Sequence, residues 1–260
     1  MLPTEIKEFL ARVAVGAART IPIVWSIPAF GGPALPGQIR VAIGIGLALL
    51  CLPALTGCPS EGDAVLWVLL VAREAMVGVV MGFVCACMFR AAEMAGQFTD
   101  VLRGANLAEA LSPTGEGRSS PLGALLLLLA VVVFFEIGGL GQVISALGRS
   151  YEAIPLGAQV PLAGRSHTMA IVAIIASAKL LEAAIGLCAP AIVALLLTDI
   201  VLGIVGRAVP QLPLYFVGMP LKALIGVGAL LLSLAGLDIA LQSGFRSFWD
   251  LLGAASHLGR

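Results

Sequence analysis

Apolar residues along this chain gather into six runs, at about 13–34, 41–57, 64–89, 121–147, 168–205 and 214–241. A helix needs roughly 20 predominantly apolar residues to cross a bilayer, so each run qualifies by length. Polar residues interrupt the runs in a way that simple lipid anchors do not need. Arg73-Glu74, Glu136, Lys179 with Glu182, Asp199 and Lys222 all fall inside them, and a charge at the bilayer centre costs about 2.5–3.5 kcal/mol on insertion scales. Lys179 and Glu182 are i,i+3 neighbours that can neutralise each other. Arg73 and Glu74 point about 100° apart on a helix, so at least one is expected to face a partner outside its own helix.

Prolines punctuate the C-terminal runs. Pro190, Pro210, Pro213 and Pro220 each lack an N–H and fix φ, so each is expected to restrict or break a helix. Together they frame a hairpin in which two apolar runs, one carrying Asp199 and one Lys222, flank the polar elbow Arg207-Ala-Val-Pro-Gln-Leu-Pro213. The predicted fold class is all-α, with hydrophobic helical hairpins broken by proline and charge and packed into a larger membrane-associated assembly. Residues 1–260 are read as a single domain.

The third run is expected to continue past its apolar part: Arg90, Glu93, Gln97 and Asp100 recur at i, i+3, i+7 and i+10, the spacing of one polar helical face. That face is either solvated or a polar stripe lining a passage. The following stretch, Arg103 to Pro121, is rich in Gly, Ser and Pro and reads as a long loop. Gly78-x3-Gly82, Ala92-x3-Gly96 and the pair Gly226 and Gly228 offer small residues at close-packing spacing. Gly138-Gly139-Leu-Gly141 follows an apolar helical run and reads as a kink rather than a phosphate cradle.

Composition sharpens the class. The chain is 60% hydrophobic and only 12% charged, against roughly 25% charged in soluble domains, and its mean hydropathy is +1.06. Fifteen basic and 15 acidic residues balance, so no basic surplus points to nucleic acid. Five cysteines are an odd number, and Cys51, Cys85, Cys87 and Cys188 lie in apolar runs, which argues against a disulfide framework. Cys85 and Cys87 point roughly 200° apart on a helix with no histidine nearby, so no metal site is expected. Glu5 and Glu8 occupy the place of a basic n-region, so the N-terminus is expected to be retained. Basic residues do not collect on alternate loops, as six plain spans would require. His167 and His257 stand outside any catalytic constellation and no G-x-x-x-x-G-K-[ST] loop exists. Neither an enzyme nor a cofactor is expected.

The stretch APAIVALLLTDIVLGIVGRAVPQLPLYFVGMPLKALIG resembles the C-terminal signature of the SctT/FliR family, the export-apparatus proteins of type III secretion systems and the flagellum. The resemblance rests on Ala189-Pro190, Asp199, Gly203, Arg207, Pro210-Gln211-Leu212, Gly218 and Pro220-Leu221-Lys222. Upstream, Arg73-Glu74 with Gly78 and Gly82, Ala95-Gly96 with Asp100, Ser150-Tyr151 with Pro155-Leu156-Gly157, and Arg19 with Pro22 extend it over nearly the whole chain. The resemblance implies a channel-forming subunit of an inner-membrane export gate for unfolded proteins, much of it standing above the bilayer plane. The implied partners are SctR/FliP-like and SctS/FliQ-like subunits, with SctU/FlhB-like and SctV/FlhA-like components. Arg73, Glu74, Asp199, Arg207, Pro210, Gln211, Pro220 and Lys222 then become candidates for packing and charge contacts between subunits. Gly104, Asn106, Pro113, Gly115 and Gly117 become candidates for a plug in the closed gate. Flagellar members often carry a histidine after the glycine of the fourth segment. Glu136-Ile-Gly-Gly-Leu-Gly141 has none, which resembles the injectisome branch, with a flagellar export protein as the alternative. A secondary transporter of a small solute, which also uses broken helices and midplane charges, is the rival from another class.

Overall fold

The computed structural model describes residues 4–32, 35–51, 53, 64–105, 120–156, 162–211 and 214–257. Among these the chain is all-α, with eight helices and no strand: α1 (Thr4–Ser26), α2 (Gly37–Leu50), α3 (Ala64–Leu102), α4 (Pro121–Glu136), α5 (Gly139–Ala153), α6 (Leu162–Ala208), α7 (Leu214–Leu232) and α8 (Leu234–His257). A single 3-10 turn, Pro28–Phe30, follows α1. By length and composition α1, α3 and α6 can each cross a membrane, and the bent pairs α4–α5 and α7–α8 bring the number of possible spans to five.

Local chemistry explains the bends. The run at 121–147 folds as two helices that meet at 71°, because Gly138 takes φ +69, a left-handed conformation that costs glycine little. The kink expected at this glycine cluster is therefore present. The run at 214–241 also folds in two, with a 61° bend at Ser233, whose hydroxyl donates to the Leu230 carbonyl at 3.0 Å. Neither proline nor glycine marks that bend. Beyond it α8 buries Leu237, Leu241, Phe245, Phe248 and Leu252 on one helical face, while Asp238, Gln242, Arg246 and Asp250 take other positions.

Pro190 and Pro220 do not end their helices, contrary to the sequence expectation. α6 runs 47 residues through Pro190, and α7 runs through Pro220. Both rings lie on exposed faces, so the buried stripe of α6, Ala184, Leu187, Ala191 and Leu195, packs without meeting the proline. The residue four before Pro190 is Gly186, so the carbonyl crowded by the ring belongs to the most adaptable residue type. The elbow between α6 and α7 does hold Pro210, as a turn. The two helices run antiparallel: Asp199 pairs with Lys222, a β-carbon on Gly218 would meet Leu202 Cδ1 at 3.2 Å, and Gly226 faces Leu195.

Residue contacts divide the chain into two compact units, one of Met1–Cys87, Phe134–Ala178 and Phe245–Arg260, the other of Met88–Val133 and Lys179–Gly244. In the first, Gly78 and Gly82 lie on the backbone of α1: a β-carbon at Gly82 would stand 3.0 Å from Ile23 Cα, and one at Gly78 would overlap the Arg19 carbonyl. In the second, Gly96 lies equally close to the Leu122–Gly123 backbone of α4. Two of the three small-residue spacings thus mark close helix crossings. The third does so only in part: a β-carbon on Gly226 would meet the Leu195 side chain at ordinary contact distance, 3.6 Å, and Gly228 has no heavy atom within 4 Å of its would-be β-carbon.

Candidate functional site

The most heavily bonded polar cluster lies in the first unit, centred on Arg19. A guanidinium has five N–H groups and no acceptor, so burial within an apolar helix demands partners from several directions. Arg19 is fully buried. Its Nε donates to Glu74 Oε2 at 2.6 Å, Nη1 to Ser150 Oγ at 2.8 Å and Nη2 to the Ile154 carbonyl at 3.0 Å. Tyr151 lies beneath it, ring centroid 4.3 Å from Cζ, and donates its own hydroxyl to the Gly16 carbonyl at 2.9 Å. Such a stacked environment, with acceptors on three sides, suits arginine and would not suit lysine.

Glu74, also fully buried, accepts on both oxygens. Oε1 accepts a hydrogen bond from Arg73 Nη2 at 2.7 Å. Arg73 Nη2 also donates to the carbonyls of Pro155 and Leu156, at 3.1 and 3.3 Å. Two cations therefore share one carboxylate and hold three successive carbonyls of the segment that follows α5. The expectation that at least one of Arg73 and Glu74 faces a partner outside its own helix is met by both, Glu74 through Arg19 of α1 and Arg73 through the carbonyls that follow α5, all within this chain. Guanidinium groups bonded to several elements at once serve to orient those elements, since they donate in several directions and offer no lone pair. The hub ties α1, α3 and α5 together.

A second cluster closes the base of the stretch between α3 and α4. Asp100 is 1% exposed. It accepts from Arg103 Nε at 2.7 Å, from Ser120 Oγ at 2.5 Å and from the Leu122 N–H at 3.0 Å. It thus caps the N-terminus of α4, where unsatisfied N–H groups and the helix dipole favour an anion. The polar-face reading is corrected here. Arg90, Glu93 and Gln97 do form one linked row, with Arg90 Nη1 donating to Glu93 at 2.8 Å and Gln97 Nε2 to Glu93 at 3.5 Å. Asp100 turns inward, because ten residues rotate it about 80° from Arg90. Replacing Asp100 by alanine is expected to cost about 1–2 kcal/mol, the worth of a cap and a charged hydrogen bond. Thermal unfolding in detergent checks it, with Glu93→Ala, on the exposed row, expected to change little.

The hairpin of α6 and α7 carries the third cluster. Asp199 and Lys222 form an ion pair across it, with side chains 46% and 24% exposed. Arg207, Pro210 and Gln211 are exposed at the elbow and Pro220 is exposed on α7. Around them Leu196, Leu197, Ile200, Ile204, Phe216 and Leu224 are exposed apolar residues. Gly104 closes the C-terminus of α3 with φ +81. Asn106, Pro113, Gly115 and Gly117 lie outside the described residues.

Sequence reasoning gave Arg19, Ser150 and Tyr151 no structural role. One signal was available. Arg19 stands inside an apolar helical run, so its charge needed a carboxylate, and Glu74 in the third run was a candidate.

The family model for bacterial export proteins, family 1, matches residues 10–248. The chain belongs to this family. It is similar to the flagellar biosynthetic protein FliR of Bacillus subtilis, 26% identical over 220 residues that cover 85% of each chain. It is 32% identical over 188 residues to the Yop proteins translocation protein T of Yersinia pestis, covering 72% of this chain and 71% of that one. The surface presentation of antigens protein SpaR of Salmonella typhimurium aligns along 98% of this chain and 97% of its own, at 28% identity. The SctT/FliR resemblance read from the sequence is thereby shown, as is the membrane-protein character of the fold.

Proposed function

We propose that this export-family protein is a channel-forming structural subunit of a type III export gate in the bacterial inner membrane, contributing to the entry portal for unfolded secreted proteins. The observation that carries the reading is the α6–α7 hairpin: it bears the specific motif residues Arg207, Pro210, Gln211, Pro220 and Lys222 and leaves a half-exposed Asp199–Lys222 pair amid exposed apolar side chains. A carboxylate left facing hydrocarbon is costly, so this face is suited to cover by protein, from SctR/FliP-like and SctS/FliQ-like subunits, with SctU/FlhB-like and SctV/FlhA-like components further out. The role is structural rather than catalytic. The absence of histidine in Glu136–Gly141 supports the injectisome branch.

Native mass spectrometry of the tagged chain, purified in mild detergent after co-expression with its chromosomal neighbours, tests the assignment. A stable hetero-oligomer with two other small hydrophobic proteins supports it; a monomer or homodimer without partners sinks it and favours a solute transporter. Complementation of a secretion-deficient and a flagellum-deficient deletion strain separates the two branches.

Lys222→Ala is expected to change the stability of the isolated chain by no more than about 1 kcal/mol, as for a partly exposed pair. In the complex it leaves Asp199 without its cation, and the yield of assembled complex is expected to fall several-fold. Asp199→Ala should behave alike. Full yield and secretion in both variants would remove the hairpin from the interface. The stretch beginning at Gly104 and containing Asn106, Pro113, Gly115 and Gly117 is proposed as the plug, with its base held by Asp100. Shortening it should leave assembly intact and make the closed gate conduct small ions, and an ion-tight membrane would refute the plug.

A further inference from the structure

Most charges inside the apolar helices are answered within the chain: Arg19, Arg73 and Glu74 by one another, Asp199 by Lys222. Glu182 is an exception. It belongs to the second unit and stands well inside the apolar part of α6. Apart from Lys179, the nearest Asp, Glu, Lys or Arg on that helix are Arg165 and Asp199, each 17 residues away. The Glu182 side chain is exposed. Among the described residues no ion pair reaches it, the expected one with Lys179 included.

The helix holds this carboxylate on the side that the chain itself does not cover. At 100° per residue the buried stripe of Ala184, Leu187, Ala191 and Leu195 centres on the opposite side. Glu182 shares its own side with Gly186, Ala189, Val193 and Leu196, at the 4-3-4-3 spacing by which one helix seats another. Val193 and Leu196 are 58% and 52% exposed. A β-carbon on Gly186 would meet no heavy atom within 4 Å, so no side chain of this protein packs on that glycine, and a second backbone can approach it closely. At Leu196 the stripe runs into the hairpin face, where Asp199 already has its cation. Lipid hydrocarbon offers a carboxylate nothing. A helix that carries a cation answers both the charge and the seam.

We propose that this face of α6 receives an apolar helix of another gate subunit, which brings a lysine or arginine to Glu182 and lays its backbone close over Gly186. The inference rests on the export-gate reading for the existence of that subunit, and adds the place of contact and the charge that the subunit contributes.

The test measures the yield of complex by native mass spectrometry, with the full chain co-expressed with its chromosomal neighbours. Glu182→Asp is expected to keep the complex, Glu182→Gln to lower its yield about tenfold or more, and Glu182→Lys to abolish it. All three isolated chains should unfold at the parent's temperature in detergent, since the carboxylate forms no ion pair within its own fold. A photo-crosslinking side chain introduced at Val193 should join the protein to an apolar segment of a partner subunit. Changing the lysine or arginine of that segment to glutamate should restore assembly with Glu182→Lys. Full yield with Glu182→Gln would show that the negative charge is not needed. A crosslink only to lipid or to an exported protein would give the face another occupant, and a crosslinked segment without a lysine or arginine, or a charge reversal that rescues nothing, would break the pairing. Each of these overturns the proposal. Normal assembly of the Glu182 variants sinks this inference alone, whereas a parent chain that forms no hetero-oligomer sinks the export-gate reading and the inference with it.

Discussion

Glu74→Ala is expected to destabilise the chain by about 3–5 kcal/mol, the cost of leaving a buried charge without its partner. The loss is large because the carboxylate serves two cations: Arg19 at 2.6 Å and Arg73 at 2.7 Å. Without it two guanidiniums face each other, and one of them is wholly buried. Arg73→Ala should be milder, since Glu74 keeps Arg19 and the 10% exposed Arg73 side chain leaves room for water at its place. The double variant Arg19→Met with Glu74→Leu removes both charges and should recover most of the loss, because apolar pairs of similar volume often match buried ion pairs in stability. Thermal unfolding in detergent, compared across the three variants, checks the ordering. A Glu74→Ala protein as stable as the parent would mean that the hub is no stability element.

Gly78→Ala is expected to cost about 3 kcal/mol, the upper end for overpacking, although alanine is the better helix former by about 1 kcal/mol. The new methyl would overlap the Arg19 carbonyl oxygen and stand 3.0 Å from Arg19 Cα. Backbone atoms cannot rotate away, so α1 and α3 must part, and Arg19 is drawn from Glu74 as they do. The two losses are coupled: Gly78→Ala combined with Glu74→Ala should cost less than the sum of the singles. Gly148→Ala is the control. Nothing lies within 4 Å of its would-be methyl, so it should be neutral or raise stability by up to about 1 kcal/mol. Equal losses at Gly78 and Gly148 would show that helix contact at Gly78 is not limiting.

The hairpin at Asp199 and Lys222 was legible because prolines, charges and motif spacing are all local in sequence. The kink at Gly138 was legible for the same reason. The hub was only half legible. Arg73-Glu74 announced that a partner was needed, but Arg19 is 55 residues and Ser150 76 residues from Glu74, and no periodicity encodes such separations. Asp100 was misplaced by a face argument that ignored the slow rotation of the helix over ten residues. Ser233 escaped because serine is an ordinary helix residue, and α8 was cut short at 241 because its polar positions dilute the apolar run. Pro190 and Pro220 were over-read: a proline breaks a helix when nothing else holds the register, and in α6 a buried stripe on another face holds it.

The length of α6 has a geometric consequence. At 1.5 Å per residue its 47 residues trace a contour of about 70 Å, while bilayer hydrocarbon is about 30 Å thick. Lying wholly within that layer would require a tilt near 65°, well outside the roughly 0–40° seen for membrane helices. At moderate tilt about half of this rod projects beyond the oil, although its side chains stay apolar almost to the end, with Ile200, Val201 and Ile204 all outward-facing. Outside the oil those apolar side chains need cover from polypeptide rather than lipid, so the length of one helix sets how much of its surface protein must cover.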